Sequence, residues 1–216
     1  VARDRAAEAE EVFIRALDIR EKRFGSEDKD LAELLNNLGE LYFRKNLLGE
    51  AEDMLRRALA IRERLLGPDD PQVARTLDNL AGIEQARRRT DQARALLERS
   101  LAIKEKSLGA SHPWLVNTLT GLADVLAAQG NVADAETPAR RAVDISTRAY
   151  GQYNVRPAVP LTTLCNVLRA QDRLDEAQDA YGRALALRET ALPGDHIDLA
   201  VSLGNLASVE YARGRL

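Results

Sequence analysis

A period of 42 residues runs along the chain and constrains its fold more than any other feature. Ala9, Ala51, Ala93, Ala135 and Ala177 keep that step. So do Leu38, Leu80, Leu122, Leu164 and Leu206, and so do Leu17, Leu59, Leu101, Val143 and Leu185. Gly25, Gly67, Gly109 and Gly151 follow it until Pro193 takes the slot and Gly194 comes next. A fixed period of a few tens of residues marks stacked repeats, in which one unit cannot bury its apolar face without a neighbour.

Inside each unit the apolar spacing is helical. Leu77, Leu80, Ala81 and Ile83 mark a first helix, A. Ala93, Leu97, Ser100, Leu101 and Leu108 mark a second, B, close to the i, i+4, i+7, i+8 stripe of an amphipathic helix. The alternation that marks a strand is absent. Breaks within a unit fall near Arg88 to Thr90, Gly130 and Gly214. Breaks between units fall at runs such as Gly109-Ala110-Ser111-His112-Pro113, where glycine caps one helix and proline cannot continue it.

Residues 31–72 contain LNNLGELY, then EAEDMLRRALAIRERLLG, then PDDP. This resembles the long tetratricopeptide repeat of kinesin light chains, with its LNNLA, EAE, RAL and G-x-x-HP elements. The resemblance covers the whole chain. It implies an all-α, right-handed superhelical solenoid of antiparallel helix pairs, about nine helices in a single domain over residues 1–216. Residues 1–30 form a partial repeat, 31–72, 73–114, 115–156 and 157–198 form full repeats, and 199–216 form another partial one. Leu199, Val201, Leu203, Leu206 and Val209 do not resemble the polar cap of a finished solenoid. The expectation is a fragment of a longer repeat protein, with self-association through the terminal helices as the rival.

The repeat register also predicts packing. The helix A slot Gly39, Ala81, Ala123, Cys165, Ala207 is always small, so A and B helices approach closely there. Leu55, Leu97 and Tyr181 fill the facing space. Cys165, the single cysteine, reads as a buried, inert thiol. The third full unit departs most: Pro138 falls inside helix B, and Asn154-Val155-Arg156-Pro157 replaces the usual loop. A local irregularity is expected over 138–157. On the outer face of helix B, Arg15, Arg57, Arg99, Arg141 and Arg183 recur once per unit. Glu11, Asp53 and Asp179 lie four residues before three of them, as i, i+4 partners.

Chemistry-bearing constellations are missing. His112 and His196 share one loop slot with Asp70 and Asn154, which suggests a helix-start role rather than metal binding. No H-E-x-x-H, C-x-x-C, G-x-S-x-G or phosphate-cradling loop occurs. The expectation is a non-enzyme without cofactor or metal. Net charge is −3, with 31 basic and 34 acidic residues, so nothing favours nucleic acid as partner. No apolar run is long enough to span a membrane. A cytoplasmic protein fits these features.

What remains is a protein-binding role. In tetratricopeptide repeats the stacked A helices line a concave groove. In this register the candidate peptide-binding residues are Asn36, Asn37, Glu40 and Arg44, then Arg75, Asp78 and Asn79. Asn117, Asp124, Asn166, Arg169 and Asn205 continue the series. An amide carries both a donor and an acceptor, so Asn37, Asn79 and Asn205 could hold an extended backbone independently of its side chains. The alternative is that these asparagines bond between adjacent A helices. Gly121 and Thr163 interrupt the asparagine series. Acidic and basic groove residues nearly balance, which argues against a strongly basic clamp.

Overall fold

The computed structural model describes residues 2–25 and 28–214, with side chains from residue 9 onward. Ten helices occur among the described residues: α1 Ala2–Phe24, α2 Lys29–Arg44, α3 Leu48–Leu66, α4 Pro71–Ala86, α5 Thr90–Leu108, α6 Leu115–Ala128, α7 Val132–Tyr150, α8 Ala158–Ala170, α9 Leu174–Ala191 and α10 Ile197–Ala212. The expected number was about nine; the two half-repeats each form a whole helix, which makes ten. The even-numbered helices are the A helices and the odd-numbered ones the B helices. The helices cluster into two units, Val1–Ser107 and Leu108–Leu216.

In the first unit, Leu17 of α1, Leu31, Leu35 and Leu38 of α2, and Ala58 and Ile61 of α3 form one buried cluster. Leu55 of α3 then packs with Leu80 and Ile83 of α4, and Val73 and Leu77 of α4 with Ile103 of α5. Helix α3 thus buries faces both on α2 of its own repeat and on α4 of the next. The small slot works as expected here: a Cβ on Gly39 would stand 2.7 Å from Leu55 Cγ. In the second unit Ala123 and Cys165 are buried in the same slot, while Ala207 of α10 is exposed.

Loop chemistry repeats with the helices. Asp28, Asp70 and Asn154 accept the N–H two residues on, at 3.2, 2.7 and 2.9 Å. His112 and His196 do the same through Nδ1, both at 3.2 Å. His196 thereby caps α10, whereas the N–H that His112 accepts belongs to Trp114 in the turn ahead of α6, whose start has no side-chain cap. Each A helix is followed by one left-handed residue: Asn46, Arg88, Gly130, Asp172 and Gly214, with φ from 59° to 81°. After the B helices, Gly67 takes φ 87°, ψ 159° and Gly151 φ 89°, ψ 155°, a region essentially closed to other residues.

The proline expectation needs correction in part. Helix α7 runs unbroken from Val132 to Tyr150 with Pro138 inside it. Pro138 lies buried at the position held in the first unit by Met54 and Leu96, both packed into apolar clusters. The departure falls instead after the helix. There α8 begins at Ala158, three residues later than the start of α4 would predict from the period.

Candidate functional site

The A-helix face of the first unit is built from α2 and α4, which lie in contact. Arg75 of α4 reaches back to α2, donating to Glu33 at 3.0 Å and to Asn37 Oδ1 at a long 3.5 Å. Arg44 donates to Glu40 at 2.9 Å along α2. Arg44 and Arg75 are exposed, and Asn37, Glu40, Asp78 and Asn79 are half-buried. These side chains form a polar, accessible patch.

Asn36 has a different setting. It is 0% exposed, and its Oδ1 receives Asn79 Nδ2 at 3.3 Å, Arg62 Nη1 at 3.3 Å and Thr76 Oγ1 at 3.5 Å. It offers no surface to a ligand and instead joins α2 to α3 and α4. Asn79 takes part in the same interhelix bond. Asp78 turns toward α5, where its carboxylate accepts from Ser100 at 2.6 Å and from Lys104.

In the second unit Asn117, Asp124, Asn166 and Arg169 are exposed and Asn205 is half-buried. Asn166 accepts the hydroxyl of Tyr181. Burial pushes the Tyr181 phenol up to about 12. Asp124 is exposed, yet neighbouring helix surfaces crowd its carboxyl. Desolvation pushes it up to about 6, and the hydrogen bond with Thr163 opposes that shift.

Two sets of residues escaped the sequence reading. The first is a buried cation on helix B: Arg62, Lys104 and Arg188, only 2%, 4% and 9% exposed. Arg62 donates to Asn36, to Thr76 at 2.7 Å, to the Gln72 carbonyl at 3.1 Å and to Glu33, so one guanidinium ties three helices. Arg188 donates to Ser202 at 2.7 Å in the matching place. Ser146 takes this slot in α7. The second is a staple from three A–B turns, those after α2, α4 and α8, to the preceding B helix. Lys45 pairs with Glu10; Arg87 pairs with Glu52 and the Leu48 carbonyl; Gln171 donates to Glu136 and the Val132 carbonyl. Their 42-residue step was visible in the sequence, but nothing local said that their ends would meet.

The outer arginines also find partners other than those expected. Arg57 pairs with Glu21 of α1 rather than Asp53 one turn away, and Arg99 pairs with Glu63 of α3. Among the described residues, no cluster of three or more metal-ligating side chains occurs and no helix is long and apolar enough to cross a membrane.

A family model for the tetratricopeptide repeat matches residues 1–64, 30–106, 72–148 and 157–216. The chain belongs to the tetratricopeptide repeat family. A search of curated proteins finds no match. Among solved structures, this tetratricopeptide repeat protein is similar to BtubC (BKLC) from P. vanneervenii. The TM-score is 0.79 at 24% identity, over 100% of this chain and 85% of that one. It is similar to a Podosopora anserina kinesin light chain with nearly identical TPR-like repeats, at TM-score 0.70 and 23% identity, over 89% and 92% of the two chains. Aspartyl phosphate phosphatase F from Bacillus subtilis gives a TM-score of 0.70 at 14% identity, over 95% of this chain and 53% of that one. The likeness is one of fold: helix pairs of the kinesin-light-chain-like repeat type.

Proposed function

We propose that this tetratricopeptide repeat protein is a non-catalytic interaction scaffold that binds an extended peptide or a partner helix on its A-helix face. The carrying observation is the accessible polar patch of Asn37, Glu40, Arg44, Arg75 and Asn79 on adjacent helices α2 and α4. An amide supplies both hydrogen-bond senses that an extended backbone needs. The near balance of charge on this face suits a ligand without a strong net charge. The test is peptide-display selection on residues 1–216, with Asn37→Ala/Asn79→Ala as counter-screen and circular dichroism as fold control. A consensus peptide lost in the folded double variant is the expected result. A peptide retained by that variant would sink the reading.

A second reading is self-association through the terminal helices. It rests on apolar side chains left open there: Val12 and Ile19 of α1 are 67% and 53% exposed, and Ile197 and Leu203 of α10 are 70% and 52% exposed. Light scattering over a concentration series tests it, and a strict monomer at high concentration removes it.

A further inference from the structure

A largely apolar groove of about 510 Å³ lies between α1 and α2, lined by Ala16, Ile19, Arg20, Asp30, Glu33 and Leu34. One period on, the same slots are Ala58, Ile61, Arg62, Gln72, Arg75 and Thr76, on α3 and α4. Helix α2 covers that second set. Leu31 and Leu35 cluster with Ala58 and Ile61. Asn36 accepts from Arg62 and Thr76, and Glu33 pairs with Arg62 and Arg75. The repeat itself therefore shows what fits the α1–α2 groove: an A helix laid against a B helix.

Helix α10 is an A helix whose matching face is open. In α2, Leu35 and Leu38 are buried with α3 residues, and Gly39 approaches Leu55 closely. The same slots in α10 hold Leu203, Leu206 and Ala207, of which Leu203 and Ala207 are exposed. On α1 the exposed Val12 and Ile19 stand at the slots of Met54 and Ile61, both packed into the cluster that α3 shares with α2. Phe13 stands at the slot of Leu55, the residue that fills the space facing the small slot. Apolar faces of this kind, left open to water, drive helices together.

The polar groups match as well. Arg62 is answered by Glu33 and Asn36 of the helix laid over it. Arg20, at the same slot of α1, already pairs with Asp28 and Asp30, so a helix laid over it has no charge to answer. Helix α10 carries Val201 and Gly204 where α2 carries Glu33 and Asn36, and it is the A helix with no polar side chain at either slot.

Resting on the reading of self-association through the terminal helices, we infer that α10 of one copy lies in the α1–α2 groove of a second copy. The two half-repeats then complete one tetratricopeptide repeat between molecules. The contact is heterologous, so each added copy brings another groove and another α10.

Static light scattering over a concentration series tests this on residues 1–216, on Ile19→Glu, on Leu203→Glu and on an equimolar mixture of the two variants. Both replaced side chains are exposed, and circular dichroism checks the fold. The unaltered chain should gain mean mass with concentration. Each variant alone should stay monomeric, one with a blocked groove and the other with a spoiled α10 face. Their mixture should form a 1:1 complex of twice the 23.8 kDa monomer mass, because α10 of the first variant still fits the groove of the second. A strictly monomeric unaltered chain removes self-association itself. If the unaltered chain associates, continued dimerisation of Ile19→Glu alone means α10 meets α10, and continued dimerisation of Leu203→Glu alone means α1 meets α1. Either result overturns the α10-in-groove contact, as does a mixture that stays monomeric.

Discussion

Single side chains in this protein act mainly by joining neighbouring repeats. Arg62 is the strongest case, because its guanidinium is buried and bonded to α2 and α4 at once. Removing one partner of a buried pair leaves the others desolvated and unmatched. Arg62→Ala should therefore cost about 3 kcal/mol, read as a lowered urea midpoint. Glu136 makes the matching case at the half-buried level. Hydrogen bonds from Arg173 and then Arg140 hold its carboxyl down at about 2. The unfolded chain binds the proton more readily, so this contribution is complete above about pH 4.5 and disappears as pH falls toward about 2. Glu136→Gln should lower stability near neutral pH by about 1 kcal/mol, since solvent screens the network, and the difference should close near pH 2. Urea unfolding across that range reads it, and a gap that stays constant with pH would refute the assignment.

Elements are bounded by backbone conformations that only certain residues take without strain. Gly67 sits at φ 87°, ψ 159° with open space around it, so an added methyl group meets no neighbour and only the backbone objects. Gly67→Ala should cost about 1–3 kcal/mol. Arg88 is the converse, a side-chain residue held at φ 60° in the α4–α5 turn. Arg88→Gly should raise stability by up to about 1 kcal/mol, the relief of left-handed strain exceeding the added chain entropy. Thermal melts of the two variants should move in opposite directions. The 42-residue period made both turns legible. It did not reveal that α7 would absorb Pro138, because a proline inside a helical pattern is locally a stop signal. Packing of both faces of α7 between neighbours outweighs one lost hydrogen bond.

At the scale of the whole molecule, stability is shared among repeats, and the single thiol can report it. Cys165 is fully buried, donates to the Leu161 carbonyl at 2.7 Å, and is pushed up to about 12 by burial. Thiol reagents need the thiolate, so labelling should wait for opening of the second unit and accelerate with urea. Rapid labelling of the native protein would contradict this burial. The sequence by itself determined the all-helical repeat, the small slot at Gly39, Ala81, Ala123 and Cys165, and the helix-start role of His196. Each of these depends on local conformation or on a period that survives without coordinates. Only tertiary structure decided which charged ends meet. Arg57 passes over Asp53, four residues away, for Glu21 on another helix, and Asn36 leaves the A-helix surface for a buried node with Arg62. The physical reason is that side-chain pairing depends on how stacked helices bring their surfaces together. Spacing along one helix cannot specify that.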